Sequence, residues 1–162
     1  MADFAARRVV MVDTQVRPSD VTKFPIIQAM LAVPREDFVP TTKREAAYLG
    51  ENLDLGGDRF ALEPRTLAKM LDALDIGPQE LVLDIGAGLG YSSAVIARMA
   101  QAVVALEEDP VMVRDAQEAL TQAGADNVVV QEGPLVDGAP EHGLYDIIIL
   151  QGGVAHLPDS LS

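Results

Sequence analysis

Hydrophobic positions along the chain change period several times, and each change marks an element. Between residues 64 and 75, Leu67, Met70, Leu71 and Leu74 recur at i, i+3, i+4 and i+7, which is one face of a helix. Pro64 suits the first helical position, and Gly77-Pro78 stops the helix. The period then shortens. Leu81 to Ile85 is an apolar run with one acid, Asp84, and Gly86 to Gly90 is a glycine turn. A helix follows over 92–100, with Val95, Ile96 and Met99 on one side. A strand is expected at 102–106, then a helix at 111–123, with Asp109 as N-cap, Pro110 at its start and Gly124 after its end. A further strand spans 127–131, and a Gly- and Pro-rich loop over 133–143 replaces a crossover helix. The last strand covers 145–150 and ends in Gln151-Gly152-Gly153, before a loop and the start of a helix over Ala155 to Ser162.

The first third of the chain reads differently. A helix is expected over 4–14, with Phe4, Val9, Val10 and Val12 turned inward. A second begins near Thr22, carries Pro25 in its first turn and Ile26, Ile27 and Met30 on its apolar face, and stops at Pro34. Residues 34–40 connect onward through Phe38 and Val39, and 43–48 form a short helix. From Gly50 to Glu63 no period holds, and the stretch reads as irregular. Short β-branched runs alternating with helices predict an α/β fold with an open parallel sheet, helices on both faces and an N-terminal helical extension. Right-handed crossovers put the strands in the order 3-2-1-4, numbered by appearance. The switch point then lies between the first and fourth strands, where the glycine turn and Gln151-Gly152-Gly153 face each other.

Composition narrows the chemistry. The 162 residues make one domain's length, and 49% hydrophobic with 23% charged residues is ordinary for a globular chain. With no cysteine there is no disulfide, thiolate or Cys-based zinc chemistry. His142 and His156 have no second ligand at a metal-binding spacing, so no metal is expected. A net charge of −13 argues against nucleic acid as a partner. The first residues lack the apolar core of a signal peptide, and the longest apolar runs fall short of the ~20 residues that span a bilayer. The expectation is a cytoplasmic protein with no membrane partner.

The glycine turn reads G-x-G-x-G, with Tyr91 where a dinucleotide-binding turn has its third glycine. Such a turn after a parallel strand lets a ligand approach the backbone, and the helix behind it points free N–H groups at that ligand. Glu107 ends the next strand, 17 residues past Gly90, where a carboxylate accepts both hydroxyls of a ribose or is simply solvated. Asp84 either holds a ligand ammonium or braces the turn.

Together, MVDTQVRPSDVTKFPIIQAMLAVPREDFVP (11–40), Ala47-Tyr48, the segment Gly56 to Pro64, DIGAGLGYSSAVIA (84–97), ALEEDP (105–110) and YDIIIL (145–150) resemble the protein-L-isoaspartate O-methyltransferase family. That family belongs to the Rossmann-like S-adenosylmethionine-dependent methyltransferases. The resemblance implies residues 1–63 as a helical segment with a substrate loop, and 64–162 as the cofactor-binding core. It implies S-adenosylmethionine as cofactor and a damaged, isoaspartyl-containing protein or peptide as substrate. It places Asp84, Gly86, Ala87, Gly88 and Gly90 along the methionine and ribose, Glu107 on the ribose hydroxyls, Glu108 near the adenine, and Pro134 and Leu135 against its ring.

The chain departs from the family's pattern in three places. With Pro64 as anchor, the family's Thr-Ile-Ser run falls on Phe60-Ala61-Leu62, so Leu62 stands at the functional serine and no catalytic side chain is assigned. A lost orienting hydroxyl costs a factor of roughly 10–10³ by analogy with other transition-state donors. Asp58 and Arg59 are the polar residues left to meet the substrate; Arg59 either clamps a carboxylate bidentately or is a solvated loop arginine. Gly133-Pro134-Leu135 replaces the acidic turn that reads the adenine amino group. The chain also ends where family members continue with a helix and three strands, leaving DIIIL (146–150) as an apolar sheet edge. A fragment of a longer protein is the expectation. The leading functional reading is a carboxyl O-methyltransferase. The alternative is a relative that binds cofactor or a protein partner without isoaspartyl activity, or that methylates another substrate. A nicotinamide dehydrogenase is disfavoured by the glycine spacing.

Overall fold

The computed structural model describes residues 3–153 and 156–161. Its centre is a four-stranded parallel sheet of β3 (Leu81–Ile85), β4 (Ala102–Glu107), β5 (Val128–Glu132) and β6 (Ile147–Leu150), in the order β5-β4-β3-β6. This is the predicted 3-2-1-4 arrangement. Leu81 aligns with Ala102, Val103 with Val128 and Val82 with Ile147, so the carboxyl ends of all four strands finish on one side. The connecting helices are α3 (Pro64–Leu74), α4 (Tyr91–Ala97) and α5 (Pro110–Gln122). Asp109 caps α5 by accepting from the amides of Val111 and Met112. Gly124, at φ +73°, follows its end. The strand and helix limits shift from expectation by a few residues, most at β6 and at α4, which stops at Ala97.

The pleat divides the core in two. Val82, Val103 and Ile149 face a large cluster built with Leu67, Leu71, Val95, Ile96, Ala116 and Leu120 from the α-helices. Leu83, Ile85, Val104 and Leu106 face the other way, against Ala139, Leu135, Tyr145 and Leu161. The second face is covered by 3₁₀ turns at Leu135–Asp137, Pro140–His142 and Asp159–Leu161, because the Gly- and Pro-rich loop supplies no crossover helix. Ala155 and Ser162, at the ends of the expected final segment, lie outside the described residues.

The N-terminal helices α1 (Phe4–Met11) and α2 (Phe24–Ala32) join the large cluster. Met11, Val12 and Val16 are buried there, whereas Val9 and Val10 are 49% and 57% exposed, against the sequence reading. The inward stripe is Phe4, Arg8, Met11 and Val12, and Arg8 in its middle hides the period. Arg8 is held by Glu36 and by the Tyr48 hydroxyl, which itself donates to Glu36. A wider π-helical turn at Val12–Val16 continues α1 beyond its expected end. The expected short helix is a 3₁₀ segment, Thr41–Ala46.

The stretch Gly50–Glu63 is not irregular. It is an antiparallel hairpin of β1 (Leu53–Gly56) and β2 (Arg59–Ala61), turned by Gly57 and by Asp58 at φ +61°. Leu53 is buried, Lys43 Nζ donates to the Asp54 carbonyl of β1, and the Asn52 side chain accepts from the Glu63 amide across the hairpin's base.

Candidate functional site

The carboxyl ends of β3 and β6 flank a cleft of about 480 Å³, within the range of small-molecule sites. It is lined by Gly86, Gln151 and Gly152, by Leu135 and Val136, and by Arg59, Phe60 and Leu62 of the hairpin region. His156, Pro158 and Leu161 line it as well. The expected meeting of the glycine turn with Gln151-Gly152-Gly153 is therefore present.

The turn takes positive φ at Gly86 (+78°), Gly88 (+60°) and Gly90 (+101°), conformations that a side chain rarely adopts. Four of the turn's own N–H groups are taken up by the protein itself. The amides of Gly86 and Ala87 both donate to the Leu106 carbonyl at 2.9 and 3.2 Å, and that of Gly90 to Ala87 at 3.0 Å. The Gly88 amide donates to Glu107 Oε1 at 2.8 Å. The turn is tied to the end of β4, so it offers a ligand close approach rather than a row of donors.

Asp84 sits behind the turn and is fully buried. Ser92 and Ser93 hydroxyls donate to its Oδ2, each at 2.6 Å, and Gln151 Nε2 to its Oδ1 at 2.8 Å. Burial pushes its carboxyl above the ordinary range, the three donors pull it back in part, and the Glu107 charge adds to the rise. These bonds are those of a brace: Asp84 locks the start of α4 and the end of β6 onto β3.

Glu107 is fully buried and accepts from five donors. Besides Gly88, these are the amides of Glu108 and Asp109, each at 3.0 Å, and the Arg59 guanidinium, whose Nη1 and Nη2 lie 2.7 and 2.6 Å from the two oxygens. Burial alone would raise this carboxyl, but the Arg59 bond and the amides of Asp109 and Gly88 outweigh it and hold it below the ordinary range. Arg59 is raised in turn, chiefly by its bond to Glu107. Arg59 is neither solvated nor aimed outward; it reaches from the hairpin across the glycine turn. A Cβ built on Gly86 would lie 3.6 Å from Arg59 Nη2, and one on Gly88 3.1 Å from Leu55 Cδ1. The hairpin thus covers the turn at both glycines.

The remaining expected residues fall around this pair. Glu108 is exposed and accepts from the Leu135 amide at 3.3 Å, which joins it to the turn that carries Pro134. Asp58 lines the cleft beside Arg59. Leu62 lines the cleft, and its carbonyl accepts from Arg35 Nη2 at 3.1 Å. Arg35 is buried, stacked 4.6 Å from the Tyr91 ring centre, and holds the Ala47 carbonyl as well. Sequence reasoning missed Ser92 and Ser93 as the brace on Asp84, and Val136 as a wall residue. Two serines opening the helix behind a strand-end acid were the available signal.

Comparison with known proteins places this geometry. The profile of the family described as Protein-L-isoaspartate(D-aspartate) O-methyltransferase (PCMT) matches residues 9–162. Protein-L-isoaspartate O-methyltransferase 1 of Rhodopseudomonas palustris is 38% identical over 158 residues, which is 98% of this chain and 64% of that protein. Protein-L-isoaspartate O-methyltransferase 2 of Pelobacter propionicus is 35% identical over 155 residues, 96% of this chain and 69% of the relative. The chain thus spans about two-thirds of the length of these relatives. A solved protein-L-isoaspartate O-methyltransferase superposes with a TM-score of 0.82 at 25% identity, over 95% of this chain and 50% of the other. A Plasmodium falciparum protein described as a putative member, solved with S-adenosyl-L-homocysteine, gives a TM-score of 0.78 at 19% identity, over 99% of this chain and 78% of its own.

Proposed function

The chain belongs to the protein-L-isoaspartate O-methyltransferase family, and from that premise we propose that it is an S-adenosylmethionine-dependent carboxyl O-methyltransferase acting on isoaspartyl residues of damaged proteins. The observation that carries the reading is the junction of the glycine turn with Glu107: a buried carboxylate held ionised beside a backbone that no Cβ covers. The residues present fit an adenosyl group. Glu107 supplies two acceptor oxygens for a ribose diol, Gly86 borders the cleft with no side chain of its own, and Leu135 and Val136 give an apolar wall for a purine. Asp84 supports this seat from behind through Ser92, Ser93 and Gln151.

When bound, the cofactor supplies an electrophilic methyl group. An ionised carboxylate needs position more than a base to accept it, which agrees with the lack of any hydroxyl at Phe60, Ala61 and Leu62. Phe60, Leu62 and Gln151 border the cleft. Asp58 and Arg59 are the charged residues of the hairpin there. The test is transfer of labelled methyl to an isoaspartyl peptide beside its aspartyl twin. Base-labile label on the isoaspartyl peptide alone is expected. Cofactor binding without transfer to either peptide would replace this reading with the second one, a cofactor-binding relative with another acceptor, which the apolar Leu62 favours.

A further inference from the structure

The Arg59–Glu107 pair conflicts with the seat it occupies. A ribose diol needs both Glu107 oxygens, and both are taken by one guanidinium in a two-pronged contact at 2.6 and 2.7 Å. The same guanidinium lies over Gly86, where the ligand must approach the backbone, and Leu55 lies over Gly88. Three backbone amides would still satisfy Glu107 in part if Arg59 left, so displacement does not strand a bare charge. Arg59 is carried on the three-residue strand β2, next to the turn at Gly57 and Asp58, and a short two-stranded ribbon is the kind of element that moves as a unit. Once released, its charge has one obvious destination. Among the described residues lining the cleft it is the only arginine or lysine, and the proposed acceptor brings a carboxylate into that cleft.

We propose that Arg59 is a two-position switch: it holds Glu107 while the cofactor seat is free, and it turns to the acceptor's carboxylate when a ribose takes Glu107. The idea rests on the proposed function and adds to it an order of binding, cofactor before acceptor, and a positioning residue for the substrate. It also gives this chain a carboxylate-binding group in place of the hydroxyls absent at 60–62. Two thermodynamic consequences follow. A latch closed in about nine-tenths of free molecules weakens apparent cofactor affinity about tenfold. Cofactor and acceptor must each strengthen the other's binding by the same factor.

The experiment is calorimetry with S-adenosylhomocysteine on the wild type, Arg59→Gln and Arg59→Lys, followed by titration of an isoaspartyl peptide with and without S-adenosylhomocysteine. Circular dichroism and melting curves establish that each variant is folded. Arg59→Gln is expected to bind S-adenosylhomocysteine about tenfold more tightly than the wild type. Arg59→Lys, which keeps the charge but not the fork, falls between them. In the wild type S-adenosylhomocysteine strengthens peptide binding, and in Arg59→Gln that coupling disappears. Equal or weaker S-adenosylhomocysteine binding by folded Arg59→Gln overturns the switch and leaves the proposed function standing. Tighter binding with unchanged coupling overturns the acceptor half of the proposal. No S-adenosylhomocysteine binding by any of the three proteins overturns the proposed function, and the switch with it.

Discussion

Replacing Glu107 by glutamine removes the charge at the junction of β4, the glycine turn and the hairpin while keeping the side chain's shape. The amide has one oxygen, so its NH₂ must face donors whichever way it lies. In place of Oε1 it meets Arg59 Nη2 and the Gly88 amide; in place of Oε2 it meets Arg59 Nη1 and the amides of Glu108 and Asp109. Two or three buried donors then lose their acceptor, and a mostly buried guanidinium loses its counter-charge. Breaking one side of a buried pair costs roughly 3–5 kcal/mol. For a domain of this size that lowers Tm by about 6–20 °C. Urea unfolding of the two proteins without ligand measures the difference, with an unchanged m-value showing that the denatured state is the same. A loss below about 1 kcal/mol, the level of an exposed ion pair, would refute the argument that Glu107 ties the three elements together.

Three further outcomes follow from the same contacts. Because the Glu107 carboxyl is depressed in the folded protein, its stabilisation is complete above the unfolded value, about 4.3, and vanishes as pH falls through the folded value; the gap between wild type and Glu107→Gln measured by urea titration should therefore be flat near neutrality and close in acid. Asp84 has the opposite sign: its folded value is raised, so its contribution is present below about 3.9 and is lost as pH rises, and Asp84→Asn should gain on the wild type in the same titration as pH climbs from 4 to 8. Asp109→Ala should lower urea stability by about 1 kcal/mol by removing the cap on α5, and a neutral result would mean that the amides of Val111 and Met112 find other acceptors.

The sheet and its order were legible because they rest on local signals. The runs at Leu81–Ile85 and Ala102–Glu107 are short, apolar and bounded by turn residues, and Pro110 with Asp109 marks the start of α5. The hairpin was not legible. Its strands are only four and three residues long, they carry Asp54, Gly56 and Arg59, and they are tied down by side-chain bonds such as Arg59 to Glu107 rather than marked by alternation. The two contacts that define the site lie out of reach of any local pattern: Arg59 and Glu107 are 48 residues apart, and Asp84 and Gln151 are 67 apart. The sequence presents the carboxylates, but their partners are fixed only when the hairpin folds over the turn and β6 docks beside β3.

In the proposed function the glycine turn and Glu107 form one cofactor seat, and the most direct test is titration of S-adenosylhomocysteine into the wild type and Gly88→Val. The valine must adopt a φ near +60°, and its Cβ starts 3.1 Å from Leu55 Cδ1, so it crowds the turn beside Glu107. Strain of about 1–3 kcal/mol leaves room for a folded variant, which melting curves establish. The wild type is expected to bind S-adenosylhomocysteine, and folded Gly88→Val to bind it at least about tenfold more weakly. No binding by the wild type, or equal affinity in the two proteins, would contradict the proposed seat.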